Sequence, residues 1–471
     1  MKFSTSLVAY VLCRRRLNYQ LQNEGQDEML TRLRWKPVLL TTLLALTCLG
    51  AVLASLAYLP IIHRGDSNMA CEKPLSALAT EKPDQSPTSS MKPRPPQEFR
   101  GVWITTVENL DWPSRPGLPV AVQQQEFTNL LDQVQQMCLN AIVVQIKPVA
   151  DAFYPSQYSP WSAYLTGIQG KDPGYNPLAF MVSEAHRRNL EFHAWFNPYR
   201  LSQHNDINEL AANHPARQHP DWIVSYGGKL YYNPGLPAVQ AFVINSILEV
   251  VSNYAIDAVH MDDYFYPYPV ARQDFSDDAT FKQFNNGHFA SKADWRRDNV
   301  NQLIQQLSMG IKRVKPHVKF GISPFGVWRN KATDPTGSDT RALQSYDDLY
   351  ADTRTWLRHH WLDYIAPQLY WNIGYDRAPY EKLVDWWSKE VAGRNVHLYI
   401  GQAAYQIGSG TPAAWANPEE MPRHIQLDRN SPQVRGSIFF RLRSLLANPL
   451  GFKDRLMNDL YKQAAIVPPM P

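Results

Sequence analysis

Two consecutive carboxylates, Asp262 and Asp263, close the apolar part of the stretch AIDAVHMDDYFY (Ala255–Tyr266), just before the aromatic residues Tyr264, Phe265 and Tyr266. A short apolar run that ends this way reads as a strand buried along its length and opening into a site at its carboxyl end. Successive side chains of a strand point to opposite faces. If Val259 and Met261 face a layer of helices, His260 and Asp262 face the centre of whatever the strand encloses, and Asp263 points outward or begins the loop. Alone, an Asp-Asp pair is as well explained by a turn or a helix cap.

Neighbouring runs change that reading. FHAWFNPYR (Phe192–Arg200) puts His193, Trp195 and Asn197 on one face, with Tyr199 and Arg200 following, and Gln145 and Lys147 separate in the same way from Val144 and Ile146. Later runs end in Trp328 and Arg329, and in Gln368, Tyr370 and Trp371. Carboxylates among Trp, Tyr, Asn, Gln and His are the equipment of a glycosidase. One carboxylate attacks or activates water, and a carboxylic acid protonates the leaving oxygen. Asp262 suits the first task. For the second, Asp263 ranks ahead of the loop residues Glu108, Asp334 and Asp339. His193, Asn197, Gln368 and Tyr370 are expected to bind hydroxyls or orient a carboxylate, and Trp195, Trp328 and Trp371 to stack on sugar rings. Lys147, Arg200 and Arg329 are placed to pair with a carboxylate on the substrate. Gln145, Tyr199, His260, Tyr264, Tyr266 and Asp339 complete the expected rim.

Two other chemistries use the same residues. His193, His260, Asp262 and Asp263 could hold a divalent metal, as in a polysaccharide deacetylase, and a barrel that binds glycan without cutting it would read almost identically. No Ser or Cys sits on a Gly-flanked elbow and no His-Glu-x-x-His helix is present, so acyl-transfer and zincin chemistry drop out. No cofactor is expected.

The elements that must position these residues repeat. Apolar runs at Phe99–Thr106, Ala141–Lys147, Leu190–Asn197, Ile256–Asp262, Lys319–Phe325, Tyr364–Tyr370, His397–Gln402 and Gly436–Arg441 alternate with amphipathic ones, giving eight strand-helix rounds. That count predicts an α/β fold, a (β/α)₈ TIM barrel with long βα loops. A doubly wound sheet fits less well, because no Gly-rich phosphate turn follows any strand. The 14 Trp and 24 Tyr suit carbohydrate binding and a large core alike. The net charge of +4 is concentrated near the beginning of the chain, so no nucleic-acid partner is expected.

Ahead of the barrel, residues 1–37 read as a short cytoplasmic segment. The 25 uncharged residues of 38–62 follow Arg32, Arg34 and Lys36 and read as a signal anchor or export signal. Residues 63–97, rich in Pro, Ser and charge, read as a disordered linker. Residues 98–471 form the barrel, expected in the periplasm and linked to the membrane through the N-terminal segment.

Several longer motifs carry a resemblance. FRGVWITTVENLDWPS (Phe99–Ser114), FHAWFNPYR, DDYFYP (Asp262–Pro267), FASKADWRRDN (Phe289–Asn299), FGISPFGVWRN (Phe320–Asn330), DPTGSDTR (Asp334–Arg341) and DYIAPQLYW (Asp363–Trp371) together closely resemble the glycosyl-hydrolase-like 10 family of bacteria. The resemblance implies a (β/α)₈ barrel in the cell envelope. It also implies hydrolysis of peptidoglycan glycan strands stripped of stem peptides, during septal wall processing and alongside divisome proteins.

Overall fold

The structure is a computed structural model that describes residues 96–470. The segments expected at 1–37 and 38–62, and nearly all of the linker at 63–97, lie outside the described residues. Within them, no helix is long and apolar enough to cross a membrane.

Eight parallel strands close a barrel in the order β1–β10–β9–β8–β7–β6–β3–β2. They are β1 (Phe99–Ile104), β2 (Ala141–Lys147), β3 (Glu191–Phe196), β6 (Ala258–Met261), β7 (Lys319–Ile322), β8 (Tyr364–Ile365), β9 (His397–Gln402) and β10 (Val434–Phe439). The eight expected runs fall on these strands, several of them trimmed where the chain leaves the ladder: β8 keeps two residues, and Gln368 meets Phe325 and Gly401 only through isolated bridges. By contrast, β10 starts at Val434, ahead of the expected Gly436. Gln97 pairs with Ile466 through an isolated bridge.

The helices form where apolar residues recur every three or four positions. In α1 (Val120–Gln136), Gln123, Phe127, Leu131 and Val134 are buried. Asn176 caps α2 (Pro177–Arg187), accepting from Ala179 N at 3.1 Å, and Ser291 caps α4 (Lys292–Val314) in the same way. Between them, α3 (Pro237–Asn253) packs on α4. A single helical turn at Ser345–Asp348 is followed by Tyr350, whose φ of 55° interrupts the helix. Asp352 restarts the chain as α5 (Thr353–Arg358). Helices α6 (Tyr380–Val391) and α7 (Glu420–Asn430) complete the outer ring.

One pair of strands was not expected. Residues Ile223–Tyr226 (β4) and Lys229–Tyr232 (β5) form an antiparallel ribbon outside the barrel. Its turn is Gly227-Gly228, with φ of 56° and 74°. Two consecutive positive φ values suit a two-residue turn of the type that matches strand twist, and only glycine takes them cheaply.

Strand parity divides the core as alternation requires. Val102, Ile142, Val144, Val259, Met261 and Phe320 face the helices, while Phe99, Trp103, Val143, Trp195, Ala258, Tyr364 and Ile438 fill the barrel. Gly321 makes room for the largest of these: a Cβ there would sit 2.0 Å from the Tyr364 ring. The absent side chain lets Tyr364 reach the axis.

Candidate active site

Asp262 and Asp263 lie side by side at the carboxyl end of β6, 6% and 4% exposed. Asp262 accepts three hydrogen bonds. Its Oδ2 takes the indole N–H of Trp195 at 3.1 Å and the Nδ2–H of Asn197, and its Oδ1 takes the backbone N–H of Tyr264 at 3.1 Å. The amide of Asn197 has no choice of orientation. Its Oδ1 accepts from Gln145 Nε2 at 2.6 Å and from Arg200 Nη2 at 2.9 Å, so its nitrogen must face Asp262. Gln145 is fixed in turn, because its Oε1 accepts the backbone N–H groups of Thr106 and Val107 at 3.1 and 3.0 Å. The loop after β1 thus sets the donor that Asp262 meets on β3.

Asp263 has different partners. Gln368 Nε2 donates to its Oδ1 at 3.0 Å and to Ser323 O at 2.9 Å, and the hydroxyl of Tyr268 donates to its Oδ2. Burial raises both carboxyls. For Asp262 the adjacent charge of Asp263 adds to burial, and together they outweigh Arg200, Tyr264 N–H and Asn197 to bring it up to about 7. For Asp263 burial outweighs the opposing Tyr268, Gln368 and Arg200. Both buried carboxyls are raised, and they titrate as a pair. The pair can therefore supply one carboxylate and one carboxylic acid at the same time.

Aromatic rings extend from this pair along the mouth of the barrel. Tyr264 packs on Tyr268 with ring centres 5.3 Å apart, Tyr268 on Phe325 at 6.2 Å, and Phe325 on Trp371 at 5.5 Å. Arg200 lies 5.2 Å over the Tyr264 ring. Residues 98–417 match the family described as Glycosyl hydrolase-like 10. The chain belongs to that family. It is 59% identical over 377 residues to Glycosyl hydrolase YngK of Bacillus subtilis, an alignment covering 80% of this chain and 74% of that one. It is 41% identical to Glycosyl hydrolase DigH of Escherichia coli K12, covering 79% and 88%. Among solved structures, the PgaB (BpsB) glycoside hydrolase domain from Bordetella bronchiseptica is 11% identical with a TM-score of 0.47, covering 77% of this chain and 98% of that chain. So slight a likeness adds nothing to the fold, which the strand pairing establishes. By family the chain is a glycosidase with a TIM-barrel body.

For this glycosyl hydrolase-like 10 chain, the structure gathers Gln145, Trp195, Asn197, Arg200, Tyr264 and Gln368 around the carboxylates. Tyr370 stacks on Phe440 and meets Tyr405, and Trp371 sits half-buried on Phe325. Tyr268 is not legible from alternation, because it lies in the loop beyond Met261, where no periodicity places it.

Other expected rim residues point elsewhere. His193 and His260 face the axis but are fully buried below the pair. Trp103 Nε1–H donates to His260 Nε2 at 3.3 Å, so the proton of that neutral ring lies on Nδ1. That Nδ1 meets the Tyr364 hydroxyl at 2.9 Å, Tyr364 meets His193 Nδ1 at 2.9 Å, and His193 Nε2 meets Glu191 at 3.0 Å. Their nitrogens are committed to this column, so the metal set of His193, His260, Asp262 and Asp263 does not converge. Among the described residues, no group of three His, Cys, Asp or Glu could hold an ion.

Lys147 turns away from the mouth, because the β2–β3 register shifts between Gln145 and Lys147. Its ammonium lies 5.9 Å from the Phe242 ring, beside a cavity of about 10 Å³ that Tyr232 also lines, and has no hydrogen-bond partner among the described residues. Tyr199 and Tyr266 are buried in the outer layer, Tyr266 against Phe275 and Tyr350. Trp328 is 5% exposed, stacked on Trp386 and covered by Arg354, so it offers no face to a sugar. Arg329 is held bidentately by Asp347 and also by Asp334. Trp328 and Arg329 line a polar depression of about 380 Å³ that shares no residue with the carboxylate pair. Asp339 is exposed and paired with Lys382.

Proposed function

We propose that the chain hydrolyses the glycan strands of peptidoglycan, acting on strands stripped of stem peptides, with Asp262 and Asp263 as its acid–base pair. The observation that carries this reading is the pair itself: two buried carboxyls, both raised, at the carboxyl end of a barrel strand, beside a run of half-buried rings. The carboxylic acid gives its proton to the glycosidic oxygen as the C–O bond breaks, and the carboxylate attacks the anomeric carbon or takes a proton from attacking water. The rings from Tyr264 to Trp371 offer flat faces to the C–H surfaces of successive sugars. Membership of the family and the names of the two relatives support a glycan substrate. The peptidoglycan reading, a periplasmic location, a membrane link through residues 38–62 and an encounter with divisome proteins rest on the sequence motifs.

Of the three cations first assigned to a substrate carboxylate, only Arg200 remains at the pair. The reading therefore places any carboxylate of the glycan near Arg200 and Tyr264. The test is release of soluble saccharides from peptide-stripped and from intact peptidoglycan, in EDTA, by the wild-type chain and by Asp262→Asn. Product from stripped walls with wild type only, while Asp262→Asn remains folded, is the expected result. Equal activity of the variant would remove Asp262 from the chemistry, and a requirement for divalent metal would replace the carboxylate mechanism.

A further inference from the structure

Burial favours a proton on the pair, and the hydrogen-bond polarity around it says which carboxyl takes it. On Asp262, both lone pairs of Oδ2 face donors that cannot accept, the indole N–H of Trp195 and the amide N–H of Asn197. Its Oδ1 meets the backbone N–H of Tyr264. A proton placed on Asp262 would meet no acceptor among these partners. On Asp263, Oδ1 faces Gln368 Nε2, whose orientation is fixed because the same nitrogen also donates to Ser323 O. Oδ2 faces the hydroxyl of Tyr268, among the described residues the one hydrogen-bond partner of either carboxyl able to accept as well as donate.

We propose that Asp263 is the proton-bearing member of the pair, that Tyr268 is the positioning residue that accepts its O–H, and that Asp262 stays charged. This rests on the acid–base reading above and fixes its roles: Asp263 the acid, Asp262 the nucleophile or base. Burial raises Asp262 strongly, which taken by itself would put the proton there. The three N–H groups decide against it, because protonating Asp262 breaks the match with its donors while protonating Asp263 keeps every hydrogen bond. Arg200 is the cation acting on both carboxyls, and it opposes a proton on either. Tyr268 is held for this task between Tyr264 and Phe325, which fix its ring from two sides.

Two measurements on the full chain test this, and only one needs a substrate. Asp263→Asn reproduces the pattern of a carboxylic acid, with an oxygen towards Gln368 and an N–H towards Tyr268, so its melting temperature should match wild type. Asp262→Asn must turn an N–H towards Trp195 and Asn197 or towards Tyr264, and should melt roughly 2–4 °C lower. Asp263→Asn melting as low as Asp262→Asn, or lower, overturns the assignment whatever the substrate proves to be. The second measurement is the pH profile of kcat/KM for Tyr268→Phe. Removing the acceptor of a neutral acid should move the alkaline limb down by about one pH unit while the acid limb stays. An alkaline limb that moves up would mean that Tyr268 donates to a charged Asp263, and an unmoved limb with a lower rate would mean that it only packs. Should Tyr268→Phe not fold, the paired melting comparison decides. A wild-type chain that hydrolyses no glycan would sink the acid–base reading, and the melting comparison would still rule on the proton.

Discussion

Trp195 stands on β3 and Asp262 just past the end of its partner strand β6, and the indole N–H of the first reaches the carboxylate of the second at 3.1 Å. The indole is 5% exposed and serves as a donor rather than as a sugar platform. Trp195→Phe keeps most of the ring and removes one N–H. Burial and Asp263 then raise Asp262 with less opposition. A hydrogen bond to a charged group contributes about 1.5–3 kcal/mol, so the acid limb of kcat/KM should move up by roughly one pH unit. A fall in rate with both limbs unmoved would return Trp195 to packing alone.

Arg200 acts on the pair in two ways, by its charge and by holding the Asn197 amide. Its guanidinium is anchored twice on Pro148 O, at 3.0 and 2.9 Å, so its position does not depend on the carboxylates. Arg200→Lys keeps the charge and loses the fork. We expect it to cut kcat/KM on the order of tenfold with little change in the limbs, and Arg200→Met to cut it further and to raise the acid limb. Equal profiles for the two variants would show that charge plays no part.

How much of this could be read from the chain depends on which force placed each residue. Alternation found Trp195, Asn197, Asp262 and Gln145, because strand parity is a backbone property and the strands are regular there. It failed at Lys147, where a shift of register between neighbouring strands turns the side chain to the other face without leaving a mark in the residue types. Periodicity also could not give depth. His193 and His260 face the axis as expected, yet they lie below the mouth, and only the Tyr364 ring, admitted by Gly321, shows that they complete a column instead of a rim. The ribbon at Ile223–Tyr232 is marked in the sequence by Gly227-Gly228 between the short runs Ile223–Tyr226 and Lys229–Tyr232.

Glu191 ends that column, and it makes the barrel sensitive to acid. Burial works to raise its carboxyl, but His193 and Lys319 outweigh burial and hold it at about 2. A carboxyl lower in the folded than in the unfolded chain stabilises above its ordinary value of 4.5, and that stability is lost as pH falls towards 2. Glu191→Gln should therefore lower stability at pH 7 by up to about 3 kcal/mol. The difference from wild type should narrow steadily below pH 4.5. Chemical denaturation across that range measures it, and a gap that is constant with pH would assign the loss to packing.

Lys147 gives the opposite sign. Burial outweighs Glu249 and Asp151 and lowers its ammonium to about 8 from an ordinary 10.5. Below pH 8 the group is charged in both states and folding bears the cost of burying it. Between 8 and 10.5 the folded chain has released a proton that the unfolded chain still holds, so wild-type stability rises with pH there. Lys147→Met fills the same space beside Phe242 without the charge. It should be more stable than wild type at pH 7, by less than the ceiling of about 3 kcal/mol, because Asp151, itself raised to about 7 by burial, loses a favourable neighbour. Its stability should be flat between pH 8 and 10.5 where that of wild type climbs. Equal slopes would mean that water reaches the ammonium, and a less stable variant at pH 7 would mean that Lys147 is paired in solution. Saccharide release should be unaffected in either case, because the register shift has already taken Lys147 out of the mouth.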